Sequence, residues 1–281
     1  MVSIGLCGIL VQWNLLTGKV ENYYTNPGGP IWDIKFFTDK KLFYLASNDG
    51  SVRIIGLDKG FYSYNQLPSY ISPVFSIDLI KDEEKSIIVC CGYKNGSINK
   101  FENNVLKMTF GNKTYNLDSS YLNKNSYNDN ESLDSISNKK NVEISSEIIW
   151  CLKFIDSKYI ASGNANGNLQ IWDIEYGVMF QQFKEHNNDI LCIEYNKINK
   201  ILYYSGINSI VYSINLLNDK FKITSNIRPQ SHDINSLILL NSDCLLSGGI
   251  STDICLINLN RGRFLEKFSK KTNSKNFNVF N

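Results

Sequence analysis

Two histidines, each close to an acidic residue and upstream of a serine, are the residues whose types suggest chemistry. His186 stands with Asp189 ahead of Ser205, and His232 stands with Asp233 ahead of Ser247. A histidine oriented by a carboxylate can take the proton of a serine hydroxyl and turn it into a nucleophile. Neither serine sits in a Gly-x-Ser-x-Gly elbow, the sharp strand-to-helix turn that exposes such a nucleophile. A repeat pattern, set out below, accounts for both histidines without catalysis. No glycine run has the Gly-x-Gly-x-x-Gly or P-loop spacing that cradles phosphates. An enzyme is therefore the last choice among function classes, and neither a cofactor nor a small-molecule substrate is expected.

The cysteines Cys7, Cys90, Cys91, Cys151, Cys192, Cys244 and Cys255 are odd in number and form no Cys-x-x-Cys pair. Zinc needs ligands converging at short fixed spacing, so no metal is expected. Most lie in apolar runs and read as small core hydrophobes in a reducing compartment, the nucleus or cytosol. Lys and Arg number 29 against 27 Asp and Glu, a net charge of +2 that gives no global field for nucleic acid or acidic membrane. Direct RNA contact stays open, because composition does not show a local patch. No basic start leads into an apolar block, and no run of 18 apolar residues occurs, so neither a secretion signal nor a membrane span is expected.

The elements that would position these residues repeat. Gly8-Ile9-Leu10-Val11-Gln12-Trp13 matches Gly167-Asn168-Leu169-Gln170-Ile171-Trp172, and Trp172-Asp173 is the one literal Trp-Asp pair. Gly50 to Ile55 and Gly96 to Phe101 share the shape, and Asn208 to Ser213 and Thr252 to Ile257 are weaker copies. The copies begin at 8, 50, 96, 167, 208 and 252, so the steps are 42, 46, 71, 41 and 44 residues. Four of the five fit the roughly 40–45 residues of a WD repeat, one propeller blade of four strands. In the fourth unit the expected strands are Ile149–Phe154, Tyr159–Ser162, Leu169–Ile174 and Val178–Phe183. Asp49-Gly50, Asn95-Gly96 and Asn166-Gly167 supply the positive φ of tight turns between second and third strands. Trp32 and Trp150 open innermost strands and read first as filling between sheets, second as exposed at the ring's face.

The fold class is thus all-β, a WD-repeat β-propeller over residues 1–268 with about six readable blades, in a ring that is incomplete or open. Met1–Gly5 reads as the end of a second strand, which leaves the first unit partial. Residues 269–281 form a basic tail, a fraying terminus or a phosphate contact. Asn112–Glu147 holds eight Asn and eight Ser, which cannot bury enough apolar surface to offset ordering entropy. It reads as a disordered loop, with a binding arm as the alternative.

WD repeats carry a hydrogen-bonded network of a His before the first strand, a Ser in the second, an Asp in the turn and a Trp in the third. Here it survives in pieces. His186, Asp189 and Ser205 belong to the fifth unit, with Ser213 in the Trp slot; His232, Asp233 and Ser247 belong to the sixth, with Ile257 there. Trp172 has Ser162 behind it but Glu147 near the His position.

Pro27-Gly28-Gly29-Pro30-Ile31-Trp32-Asp33-Ile34, Leu45 to Arg53 and Arg228-Pro229-Gln230-Ser231-His232-Asp233-Ile234 resemble the repeats of cirhin-like proteins, WD-repeat subunits of the small-subunit processome. The likeness runs in order and in phase outside the insert and tail. Cirhin-like proteins have two propellers and this chain has material for most of one, so the resemblance implies a truncated first propeller. It also implies a nucleolar scaffold in pre-ribosomal RNA processing and transcription, whose partners are protein subunits of a large ribonucleoprotein assembly. A WD-repeat scaffold of another nuclear or cytosolic complex is the alternative. Deleting most of Asn112–Glu147 should leave the thermal midpoint nearly unchanged in a dichroism melt; a large drop would make the segment an integral strand or lid.

Overall fold

Among the described residues the Gly-punctuated apolar runs form twenty-three strands in six antiparallel sheets. The structure is a computed structural model that describes residues 1–82, 86–111, 147–217, 220–250, 253–259 and 263–269. The insert at 112–146 and the tail from 270 onward therefore lie outside the described residues. Blade one has three strands, β1 (Val2–Ser3), β2 (Ile9–Trp13) and β3 (Val20–Thr25). Blade two is β4 (Ile31–Phe37), β5 (Leu42–Ser47), β6 (Val52–Leu57) and β7 (Phe61–Gln66). Blade three is β8 (Val74–Lys81), β9 (Ile87–Tyr93), β10 (Ser97–Glu102) and β11 (Val105–Gly111). Blade four is β12 (Ile149–Phe154), β13 (Tyr159–Asn164), β14 (Leu169–Asp173) and β15 (Val178–Phe183). Blade five is β16 (Ile190–Asn196), β17 (Ile201–Gly206), β18 (Asn208–Leu217) and β19 (Lys220–Ile227). Blade six is β20 (Ile234–Leu239), β21 (Cys244–Gly249), β22 (Asp253–Asn258) and β23 (Arg263–Ser269). The architecture is the all-β propeller that the repeat phase predicts.

Gly50 and Gly167 close the tight turns of blades two and four at φ +81° and +75°. A Cβ on Gly50 would strike the Tyr70 carbonyl, and one on Gly167 the His186 carbonyl. Each turn thus presses on the loop that enters the next blade. Glycine serves there both for its left-handed backbone and for its missing side chain.

The core lies between blades. Ala46, Ile54 and Leu67 of blade two pack on Val74, Ile77 and Phe101 of blade three. Cys90, Ile98 and Phe110 of blade three meet Ile149, Leu152 and Trp172 of blade four. Leu169 and Ile171 meet Ile190, Leu202 and Ile214 of blade five. A side-chain link to the next backbone recurs at the three junctions from blade three to blade six: Ser76 Oγ donates to the Ile149 carbonyl (3.2 Å), Cys151 Sγ to Ile190 (3.4 Å) and Cys192 Sγ to Ile234 (3.6 Å). All three donors are third residues of inner strands, and all three acceptors are first residues of the next.

In every blade the outer strand carries one extra residue against the third strand, and the shift falls at the same third-strand slot: Trp13, Ile55, Phe101, Trp172, Ile214 and Ile257. This common slot corrects the sequence reading of blade five. Ile214, not Ser213, occupies the Trp position, because Leu202 pairs with Ile214 as Ile160 pairs with Trp172. Trp172 Nε1 donates to Ser162 Oγ at 2.8 Å, and Trp13 repeats the bond to Ser3 at 2.8 Å. Trp172→Ala removes a buried ring from the blade three–four junction and strands the Ser162 hydroxyl. It should cost about 3–5 kcal/mol, read by urea unfolding, whereas Trp13→Ala at its half-buried site should cost less.

Candidate interaction surface

Five inner strands, β4, β8, β12, β16 and β20, surround a central channel. Each shifts register around its second residue: Trp32, Phe75, Trp150, Leu191 and Asn235. A bulge leaves that residue unpaired and re-aims its side chain. Here all five turn to one end of a channel cavity of ≈ 310 Å³ that also touches Asp33, Lys35 and Glu194. Phe75 is sandwiched between two indoles, its centroid 4.5 Å from Trp32 and 5.0 Å from Trp150. Trp32 Nε1 donates to Asn48 Oδ1 (3.2 Å) and Trp150 Nε1 to Asp189 Oδ2 (2.7 Å), which fixes both rings. Phe75 is 8 % exposed and Trp32 36 %, so the Trp32 indole is the exposed member of the cluster.

Below this mouth the fifth residues of the inner strands alternate in charge: Lys35, Asp78, Lys153, Glu194 and then Ile238. Lys35 Nζ lies 3.9 Å from Asp78, and Lys153 Nζ 2.8 Å from Glu194. Asp78 Oδ2 also accepts the Phe154 amide at 2.7 Å, tying blade three to blade four. Burial raises the Asp33 pKa, opposed by Lys35 and by the amides of Ile77 and Ile34. Burial works against the Lys35 ammonium, but Asp33, Asp78 and Glu194 outweigh it and raise its pKa. The channel wall is thus largely self-neutralising.

The residues singled out from sequence do not converge. His186 is buried; its Nδ1 lies 2.6 Å from the Asn188 carbonyl and its Nε2 has no partner among the described residues. Asp189 accepts from Trp150 instead of orienting a histidine. Ser205 stands one residue past the serine position and donates to the Ile210 carbonyl at 2.7 Å; Tyr204 takes the place that Ser162 has in blade four. The slip sits in the β17–β18 pairing, whose register shifts between Tyr204 and Gly206 where the other blades pair without a break. His232 is exposed while the Ser247 hydroxyl is buried, so they form no pair, and Asp233 is joined to the loop through Gln230, which donates to its carbonyl at 3.0 Å. Glu147, two residues ahead of β12, accepts from Asn164 Nδ2 at 2.9 Å. Asp49 pairs with Arg53 at 2.6 Å, and that guanidinium and Ser51 hold its pKa down to about 2 against burial. Asp173 caps the turn after β14 through the amides of Glu175 and Tyr176.

Trp32 is exposed, in line with the second reading, whereas Trp150 is half-buried against Phe75, between the two readings. Sequence reasoning missed Phe75 and Leu191. The signal was present as the second residue of Ile-Trp, Val-Phe, Ile-Trp and Ile-Leu pairs that recur in phase.

Residues 140–173 match the family model described as WD domain, G-beta repeat. Over 272 residues, 92 % of the chain, 22 % are identical to U3 small nucleolar RNA-associated protein 4 of Saccharomyces cerevisiae. The protein of that name from Schizosaccharomyces pombe is 23 % identical over 266 residues, again 92 % of the chain. The chain spans 32 % and 34 % of these relatives' lengths, about a third. It is a WD-repeat β-propeller chain with a distant likeness to these two proteins.

Burial lowers the His186 pKa, and that outweighs the opposing Asn188 carbonyl and the charge of Asp189. The unfolded chain gains a proton below about pH 6.5 that the folded chain resists. Above that value this group costs nothing. Stability should fall as pH drops below it and level off once the folded imidazole also titrates. Urea melts between pH 7.5 and 5 check this, with His186→Gln expected to flatten the decline.

Proposed function

We propose that this chain is a non-catalytic scaffold in the nucleolar assembly that matures pre-ribosomal RNA toward the small subunit. The observation that carries the reading is the likeness, along 92 % of the chain, to two yeast proteins named for association with U3 small nucleolar RNA. The geometry agrees with it physically. The WD-type ring satisfies most of its internal polar groups and offers a fixed aromatic mouth, the type of anchor that dominates protein interfaces. Near-neutral net charge suits attachment through protein subunits. The finer elements, a nuclear and nucleolar location and a role coordinating rRNA transcription with processing, belong to the same proposal.

Affinity purification of the tagged chain, with mass spectrometry and imaging, tests it. Small-subunit processome components should be enriched and the signal nucleolar. Trp32→Ala should lower their recovery by roughly tenfold or more, as expected for an aromatic anchor worth about 2 kcal/mol, with a thermal midpoint close to that of the parent. If other complexes are enriched, or the chain stays cytosolic, the generic scaffold reading replaces this one.

A further inference from the structure

Beside the aromatic rings of the channel mouth stand two carboxylates that make no ion pair among the described residues. Asp33 follows Trp32 along β4 and lines the cavity, its oxygens accepting the amides of Ile34 (2.7 Å) and Ile77 (3.0 Å). Asp189 stands at the rim, where its Oδ2 accepts from Trp150 Nε1 at 2.7 Å. Both are half-buried. Uncharged donors hold these oxygens in place and leave their negative charge standing. The two ammonium groups of the wall are engaged elsewhere, Lys153 with Glu194 at 2.8 Å and Lys35 with Asp78 at 3.9 Å. Asp33, Asp78, Asp189 and Glu194 against Lys35 and Lys153 leave an excess of carboxylate around the cavity. Burial keeps the Asp33 pKa above its ordinary value although Lys35 and the two amides oppose it, so a further cation in the cavity would favour the ionised form.

These charges select the chemistry of an occupant. Excess carboxylate repels a phosphate backbone, so RNA is the wrong ligand for this mouth. Among the described residues no group of three His, Cys, Asp or Glu is placed to hold a metal ion. Aromatic rings beside carboxylates attract an organic cation. The cavity of ≈ 310 Å³ equals a sphere about 8 Å across, narrower than the about 10–12 Å of a helix, so it takes one long side chain. A guanidinium is planar, is more weakly hydrated than an ammonium, stacks on an indole and bonds a carboxylate through its fork of N–H groups. We propose that the channel mouth receives one arginine side chain of a partner protein, its guanidinium packed on the Trp32 indole and directed to the Asp33 carboxylate. The assignment rests on the reading of this mouth as a partner's anchor point, and it names the group that anchors.

Titration of the full chain with acetyl-arginine methylamide tests it, read by tryptophan fluorescence, with the citrulline and lysine analogues as comparators at matched ionic strength. The arginine compound should give a saturable change at millimolar concentration. Citrulline, which keeps the shape and lacks the charge, should bind roughly tenfold more weakly or worse. Asp33→Asn should weaken arginine binding by a similar factor, with a thermal midpoint within a few degrees of the parent, since the amide oxygen still accepts a backbone N–H. Should that variant melt early, Asp189→Asn carries the test, because it keeps an acceptor for Trp150 and should weaken arginine binding several-fold. An equal response to citrulline or lysine, arginine binding unchanged in the folded aspartate variant, or no saturable response would each overturn the assignment. No arginine binding together with enrichment of processome subunits would sink this inference alone. Arginine binding without that enrichment would sustain it while the ribosome-maturation reading fell.

Discussion

Each blade is a sheet with two apolar faces, and that constraint organises everything else. A sheet that exposes one face to water can stand alone; one that buries residues on both faces needs a neighbour on each side. Leu169 and Ile171 point to blade five while Trp172 and Ile160 point to blade three, so blade four is stable only between them. The hydrogen bonds from Ser76, Cys151 and Cys192 to the next inner strand add direction to a contact that apolar packing alone leaves free to slide. Cysteine serves in two of these places because it is small enough for the junction and donates weakly. Burial pushes both thiols well up from their ordinary range, which keeps them protonated donors.

The channel mouth is a by-product of the same geometry. Strands that converge on an axis cannot all stay flat, and the bulge at the second residue of each inner strand relieves the convergence by ejecting one side chain. Where that residue is Trp32, Phe75 or Trp150, the ejected rings pack on one another, one pair edge to face and the other tilted. Where it is Leu191 or Asn235 the mouth is lined but not stacked. The aromatic surface is therefore confined to blades two to four, and a partner engaging it meets one arc of the ring. The charges below it alternate between adjacent strands, so each lysine has a carboxylate on the next blade.

Much of this was legible in the residue order. Gly-to-Trp spacing and the steps near 42 residues located every third strand, and the Asp-Gly and Asn-Gly pairs located the tight turns, because those are local preferences of the backbone. Trp13, Ile55, Phe101 and Trp172 were aligned by spacing alone and share one bulge position. Blade five was misaligned by a residue. Ser205 and Ser213 look like the expected polar pair, yet the tertiary register assigns Tyr204 and Ile214 to those places. A two-residue alternation shifted by one reads almost as well in a strand of mixed polar and apolar residues, so spacing does not decide it.

By itself the sequence determined the all-β repeat, the number of readable units and the positions of their turns, since these depend on contacts a few residues apart. Only the tertiary structure decided that Trp32 and Trp150 line the channel cavity and that His186 and Ser205 do not meet. Each of these depends on how sheets far apart in sequence are set around a common axis. Side-chain exposure is a property of neighbours, and no residue states its own neighbours.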